Sequence, residues 1–436
     1  MQNKRLRIIT QHYTQSVTNI SMKSRIFIAM HYLEIGGAES ALVGLLQTLD
    51  YSRVDVDLFL YAHRGEMLEW IPKEVNLLPE ISAYSHIEAP IITALKAGEF
   101  GVVWGRLKAK WQYQKYANRK HPKDNSAIFQ YVDLNVLPFL PSLHNLGYYD
   151  LAISFVTPHG IVLEKVKAHK KIAWIHTDYS TIDIDVEKEL PTWNGYDYIA
   201  SISEKVSANF LSVFPSLAKK IVLIENIISP AFIKRRANAF DAQKEFSLHF
   251  SQPSTKPRPF ILLSIGRFCE AKNYDNIPDI ACRLLKRGLD FRWFLIGYGD
   301  MESLIRQRIQ EAGVEHQVII LGKRTNPYPY IKGCDIYIQP SRYEGKSITV
   351  REAQILCKPT IITNYLTAES QIKDGKDGII VPMDNEGCAK GIADVIENKD
   401  LQAQLIDFLQ SHDYGNENET AKIYRLLNDK GTNYLS

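Results

Sequence analysis

Residues 335–364 read DIYIQPSRYEGKSITVREAQILCKPTIITN. An apolar run at 336–339, a loop holding Pro340 and Gly345, a helical stretch and a second apolar run at 360–363 together spell a βαβ unit. Two carboxylates, Glu344 and Glu352, flank the loop-to-helix junction with seven residues between them. A helix opening after a glycine-containing loop presents unpaired N–H groups and the positive end of its dipole, a seat for phosphate. Glu344 falls before that seat and Glu352 inside the helix, so the pair can hydrogen-bond groups on either side of a bound diphosphate. Two other readings stand beside this one. Gly345-Lys346-Ser347 resembles the end of a P-loop, but that motif needs a glycine where this chain has Pro340. Alternatively, both glutamates are solvated residues of an ordinary βα unit.

Working outward, residues 260–274 read FILLSIGRFCEAKNY, an apolar strand followed by Gly266-Arg267 and then Lys272. A leaving diphosphate gathers negative charge as its bond to a transferred group breaks, and fixed cations stabilise it. Residues 291–300, FRWFLIGYGD, end a strand on Gly297 and Gly299, where backbone can approach a nucleotide closely. Residues 318–324, VIILGKR, form a further strand whose end places Lys323 beside the base. In open α/β sheets ligands gather at the carboxyl ends of strands, where all these elements fall.

The first half adds two marks. The strand 25–30, RIFIAM, is followed by Gly36-Gly37-Ala38-Glu39 opening a helix expected over 40–49. Residues 170–180, KKIAWIHTDYS, put His176 at a strand end. Asp178 and His159 are weaker neighbours of it.

Taken together, Glu344…Glu352, Gly266-Arg267…Lys272, the Gly-Gly-Ala-Glu loop and Ile175-His176-Thr177 resemble the signatures of the retaining glycosyltransferases of family 4, across roughly 26–382. The resemblance implies the GT-B fold: two Rossmann-like domains with parallel sheets facing across a cleft, and a C-terminal helix returning to the first domain. It implies transfer of a sugar from a nucleotide-diphosphate sugar to a saccharide or lipid-linked saccharide in cell-surface polysaccharide synthesis. Arg267 and Lys272 would hold the diphosphate, Glu352 the ribose and Glu344 the donor sugar. Amides of Lys346, Ser347 and Ile348, with Gly345, would meet phosphate or sugar, and His176 would stabilise the sugar. Gly36, Gly37, Gly266, Gly297 and Lys323 complete the donor site. No cofactor or metal is expected, because cations and a helix end supply the positive charge. The chain departs from the family pattern at Lys346, where an aromatic residue is usual, and at Asn226-Ile227, where Asn-Gly is common. A GT-B epimerase or phosphorylase, and a catalytically idle sugar-nucleotide-binding partner, remain alternatives.

Strand-like runs alternate with helical stretches throughout, so the class is α/β with parallel sheets. The expected organisation is a leader at 1–21, a first domain at 22–233, a linker or hinge at 234–258, a second domain at 259–411 and a returning helix within 412–436. The polar leader suggests Met22 as the biological start, which mass spectrometry of the native protein would decide. A formal charge of +3, from 52 basic and 49 acidic residues, makes no case for nucleic acid. Five cysteines without a C-x2-C pair suit reduced thiols in cytosol. No apolar run approaches the ~18 residues of a membrane span, and the N-terminal segment lacks the core of a signal peptide. Residues 104–123, from Trp104 to Lys123, hold seven Lys or Arg and no acid, interleaved with aromatics. That stretch is read as a solvated helix or as a contact with an anionic membrane surface on the cytoplasmic side, with nucleic acid a weaker third reading because no recognition module accompanies it.

Overall fold

The computed structural model describes residues 23–250 and 258–429, so the leader reading lies outside the described residues. The chain forms two compact units. One holds the described residues up to Ile227 together with those from Asn418, and the other runs from Ile228 to Glu417.

The first unit is built on a seven-stranded sheet in the order β3-β2-β1-β4-β5-β6-β7. Its strands are β1 (Ser24–Met30), β2 (Val54–Leu60), β3 (Asn76–Leu77), β4 (Tyr148–Ser154), β5 (Lys167–Ile175), β6 (Tyr198–Ser201) and β7 (Ile221–Leu223). All neighbours pair in parallel. In β1, Ile26 to Met30 are fully buried, as a strand covered on both faces by helices must be. The helix Phe100–Lys120 is an addition to this plan. Its Ala109, Tyr113 and Tyr116 pack on Ala127 and Tyr131 of the helix Ala127–Val136.

The second unit carries six parallel strands in the order β10-β9-β8-β11-β12-β13. They are β8 (Phe260–Ile265), β9 (Phe291–Ile296), β10 (Val318–Gly322), β11 (Ile336–Gln339), β12 (Thr360–Thr363) and β13 (Ile379–Val381). Beneath the strand ends, the Trp293 indole donates to Ser264 Oγ at 2.9 Å, and that hydroxyl donates to the Ile338 carbonyl at 2.6 Å. This chain ties β9, β8 and β11 together through polar atoms that burial would otherwise leave unsatisfied. The strand order reverses between β8 and β11, the switch point where ligands of such sheets bind.

The α/β class and the paired parallel sheets agree with expectation; β3 was not anticipated, being two residues long. The expected linker at 234–258 is corrected in its described part. The helices Pro230–Arg236 and Gln243–Ser247 belong to the second unit, with Phe246 fully buried and its ring centroid 4.5 Å from that of Phe294. Phe232 and Phe246 supply apolar anchors that the surrounding charge obscured. The chain leaves the first unit at Ile227 rather than at 233 and rejoins it at Asn418. The returning helix spans Thr420–Asn428, with Ile423 fully buried. Asp50 N–H donates to Tyr424 Oη at 2.7 Å, and Lys170 Nζ donates to the Leu426 carbonyl at 3.1 Å.

Gly297 sits at φ 154°, and a Cβ there would lie 1.9 Å from the Gly266 carbonyl oxygen. Gly297→Ala should therefore cost about 2–4 kcal/mol. Gly313→Ala, at φ 63° with no atom near its Cβ, should cost only about 1 kcal/mol. Calorimetric unfolding of both variants checks this; equal losses would dismiss the close backbone approach.

Candidate functional site

After β8 the chain turns through Gly266, where a Cβ would meet the Tyr274 hydroxyl at 3.0 Å and Lys272 Cε at 3.3 Å. Glycine thus lets the lysine stem lie against the backbone. A short turn, Glu270–Lys272, ends on Asn273 in the left-handed conformation (φ 61°). The Asn273 side chain donates to the Pro340 carbonyl at 2.9 Å. Arg342 reaches back with two bonds to the Asp275 carboxylate, 2.9 and 2.8 Å, and a third to the Glu270 carbonyl at 2.6 Å. Burial pushes the Asp275 acid up, yet the Arg342 guanidinium outweighs it and holds the carboxyl below its ordinary range. These contacts stitch the loop after β8 to the loop after β11.

The result is an ion pair between Lys272 and Glu344, residues far apart in sequence. Glu344 Oε1 takes the ammonium and also accepts from Ser341 Oγ at 2.7 Å and Gln339 Nε2 at 3.0 Å. Thr367 Oγ1 donates to the Glu344 carbonyl at 2.8 Å and fixes the loop. Among the described residues all side-chain contacts of Glu344 fall on Oε1; Oε2 has none.

Glu352 is 5% exposed, and its Oε1 accepts from the Tyr328 hydroxyl at 3.0 Å. Burial pushes its acid up to about 7 against that hydrogen bond. It does not join the Lys272 cluster, though the buried Tyr337 phenol feels both Glu344 and Glu352. Of the amides expected to meet phosphate or sugar, that of Ser347 already donates to Gln371 Oε1 at 3.1 Å. Ser347 leads into the helix Ile348–Ile355. Gly345 and Lys346 are exposed, and Gly345 has open space around its Cα. The Arg267 side chain is exposed and makes no ion pair or hydrogen bond among the described residues. Gly299, at φ 155°, approaches Phe268 as Gly297 approaches Gly266. Lys323 places Nζ 4.9 Å from the centroid of the Tyr298 ring.

Gly36, Gly37 and His176 belong to the first unit. The Gly-Gly-Ala-Glu turn opens the helix Gly37–Thr48, and Glu39 folds back so that a Cβ at Gly36 would lie 2.1 Å from Oε2. Glu39 Oε1 is 3.7 Å from His31 Nε2, while Gly37 has no close neighbours. His176 follows β5 with its ring centroid 4.7 Å from that of Phe155 and its plane parallel to Trp174. Its Nε2 is buried without a hydrogen-bond partner, and burial lowers its basicity to about 3, so the imidazole is neutral. Asp178 is a turn-forming acid, accepting from Ser180 and from Asn209 Nδ2.

Sequence reading missed Tyr328, Gln339, Ser341 and Thr367. One signal was available: Gln339 is a polar residue closing an otherwise apolar buried strand, followed two positions later by Ser341.

Residues 246–411 match the model of the glycosyl transferases group 1 family. The matched segment lies within the second unit. A poly(ribitol-phosphate) alpha-N-acetylglucosaminyltransferase of Staphylococcus aureus is 24% identical over 175 residues, 38% of this chain and 36% of that protein. The N-acetylgalactosamine-N,N'-diacetylbacillosaminyl-diphospho-undecaprenol 4-alpha-N-acetylgalactosaminyltransferase of Campylobacter jejuni is 25% identical over 183 residues, 41% of this chain and 49% of that protein. These matches therefore span less than half of either relative. Among solved structures, Anabaena HepE in complex with UDP and glucose superposes with a TM-score of 0.61 at 15% identity, covering 92% of this chain and 98% of that one. The fold is GT-B.

Glu352 supplies a pH signature. Its folded pKa, raised from 4.5 to about 7, makes burial of the neutral acid favourable at low pH; that advantage, up to about 3 kcal/mol, is lost as pH rises from 4.5 through 7. Thermal unfolding of the ligand-free protein should show Glu352→Gln gaining on wild type between pH 5 and pH 8. A pH-independent difference would contradict the buried neutral acid.

Proposed function

We propose that the chain is a retaining glycosyltransferase that moves a sugar from a nucleotide-diphosphate sugar to a saccharide or lipid-linked saccharide in polysaccharide synthesis. The observation that carries this reading is Glu344: one carboxylate oxygen aims Lys272 while the other is left to receive a hydroxyl. The same loop lies within the matched family segment, and the relatives named above are glycosyltransferases.

In this mechanism Lys272 and Arg267 meet the diphosphate. Lys272 is preset by its carboxylate partner, and the exposed Arg267 closes on arrival of the ligand. The bond from the anomeric carbon to the diphosphate oxygen breaks, the acceptor oxygen bonds to that carbon, and the hydroxyl proton passes to the departing phosphate on the same face. Configuration is thereby retained. Glu352 holds the ribose, and neutral His176 donates or accepts a hydrogen bond at the sugar without carrying charge. Positive charge comes from side chains and the helix end, so no metal is required.

A membrane surface is part of the proposal. Phe100, Trp104, Leu107 and Trp111 are 68, 63, 47 and 58% exposed and recur at helical spacing on one stripe of the helix Phe100–Lys120. Exposed Lys108, Lys110 and Lys115 flank the stripe. Lys115 Nζ lies 3.5 Å from the Trp111 ring centroid. Each cation near an anionic bilayer contributes about 1 kcal/mol. No helix among the described residues is long and apolar enough to cross a membrane.

Three measurements test this reading. Thermal shift against UDP, GDP, ADP and their sugars should single out one nucleotide. Slow hydrolysis of the matching donor sugar should survive EDTA and fall by about a hundredfold or more in Lys272→Ala and Glu344→Ala. Absence of turnover with retained nucleotide binding would leave the idle-partner alternative. Flotation with phosphatidylglycerol vesicles should be lost when Lys108, Lys110 and Lys115 are reversed to Glu; equal flotation, or none by either protein, removes the bilayer.

A further inference from the structure

A single turn of helix after β12, Ala368–Gln371, grips the loop that carries Glu344 at both of its ends. Thr367, just before that turn, donates through Oγ1 to the Glu344 carbonyl at 2.8 Å. Gln371, four positions on, holds both backbone polar groups of Ser347. Its Oε1 accepts the Ser347 N–H at 3.1 Å, and its Nε2 donates to the Ser347 carbonyl. Residues four apart share a helix face, so one short face meets positions 344 and 347 together.

The Gln371 amide is itself held. The Tyr365 hydroxyl donates to Oε1 at 2.9 Å, and Tyr365 is buried. Turned over, the amide would set an NH2 group against the Ser347 N–H, so its orientation is fixed by its neighbours. Ordering a glutamine costs as much side-chain entropy as ordering almost any residue type, and three bonds at one place offset that cost. A second path reaches Ser347 from the sheet side. Its Oγ lies 3.0 Å from Thr349 Oγ1, which donates to Gln339 Oε1 at 3.4 Å, and Gln339 Nε2 donates to Glu344 Oε1 at 3.0 Å. Backbone and side chain of Ser347 are therefore both tied to the Glu344 cluster.

With the Ser347 amide taken, the helix Ile348–Ile355 still offers the N–H groups of Ile348 and Thr349, which make no hydrogen bond among the described residues. We propose that Gln371 is the positioning residue of the phosphate seat: it commits the Ser347 amide to the protein and turns the loop so that the next two amides meet the diphosphate. The inference rests on the transfer reading and adds to it a residue from outside the loop. Gln371 acts through Ser347 and does not itself touch the ligand. Amides already aimed at the place where charge gathers need no rearrangement when the ligand arrives, which is what the clamp supplies.

Calorimetric titration of the full chain with UDP, GDP and ADP, and saturation-transfer NMR with uridine, guanosine and adenosine, test this. Gln371→Met keeps the length and apolar stem of the side chain but cannot donate to the Ser347 carbonyl. It should weaken the diphosphate that wild type binds by about fivefold or more, with the matching nucleoside unchanged within about twofold. A role in stability alone would weaken both ligands together. Tyr365→Phe removes only the hydroxyl that holds the amide and should weaken the diphosphate about threefold or more; if Gln371→Met fails to fold, this variant decides. The inference is overturned by a smaller loss, by parallel weakening of nucleoside and diphosphate, or by tighter diphosphate binding in Gln371→Met. Tighter binding would mean that the glutamine amide occupies the ligand's own seat. A wild type that binds no diphosphate sinks the transfer reading, whereas a binding wild type with an indifferent Gln371→Met sinks the clamp alone.

Discussion

The contact between the Lys272 ammonium and the Glu344 carboxylate is what the rest of the second unit is arranged to hold. Both side chains are mostly shielded, at 19 and 11% exposed, so each charge needs the other. Deleting one partner of a buried pair typically costs about 3–5 kcal/mol, because the survivor keeps its desolvation penalty. Every neighbouring feature serves that pairing. Gly266 gives the lysine stem room, and Asn273 and Arg342 bind the two loops. Ser341 and Gln339 satisfy one carboxylate oxygen and leave its twin available.

Glu352 stands only eight positions from Glu344 and lives under opposite physics. Glu344 sits beside a cation in a polar cluster; Glu352 is enclosed by apolar surroundings and one phenol. Burial pushes the Glu352 acid up to about 7, whereas Glu344 keeps the Lys272 ammonium beside it. Their separation follows from the βα turn, which leaves the first in a loop and carries the second into the packed face of a helix. The first unit repeats the theme: burial keeps His159 and His176 neutral and pushes the Asp133 acid up to about 7.

Much of this was legible in the amino-acid order. Strands such as β1, β11 and β12 are short apolar runs bounded by loops, and their register follows from burial on both faces. Lys272 and Glu344 were named from motif and then found in contact, which spacing alone could not show. What stayed hidden depended on tertiary neighbours. Tyr328 acquires its role only because its helix packs on Glu352. Phe246 looked like one apolar residue in a charged stretch until Phe294 and Tyr330 closed around it. The 104–123 stretch left its readings open because composition cannot say which aromatics are inside. Folding buries Tyr113 and Tyr116 and leaves Trp104 and Trp111 outside.

The return of the last helix to the first unit sets an order of assembly. A ribosome delivers β1 to β7 long before residues 420–428, and in the interval Lys170, Tyr198 and Asp50 lack the partners that Leu426, Asp429 and Tyr424 provide. The unit begun first is therefore completed last, after the whole Ile228–Glu417 body has emerged. A nascent chain halted before Tyr424 would hold a finished second unit and a first unit still awaiting its closing helix.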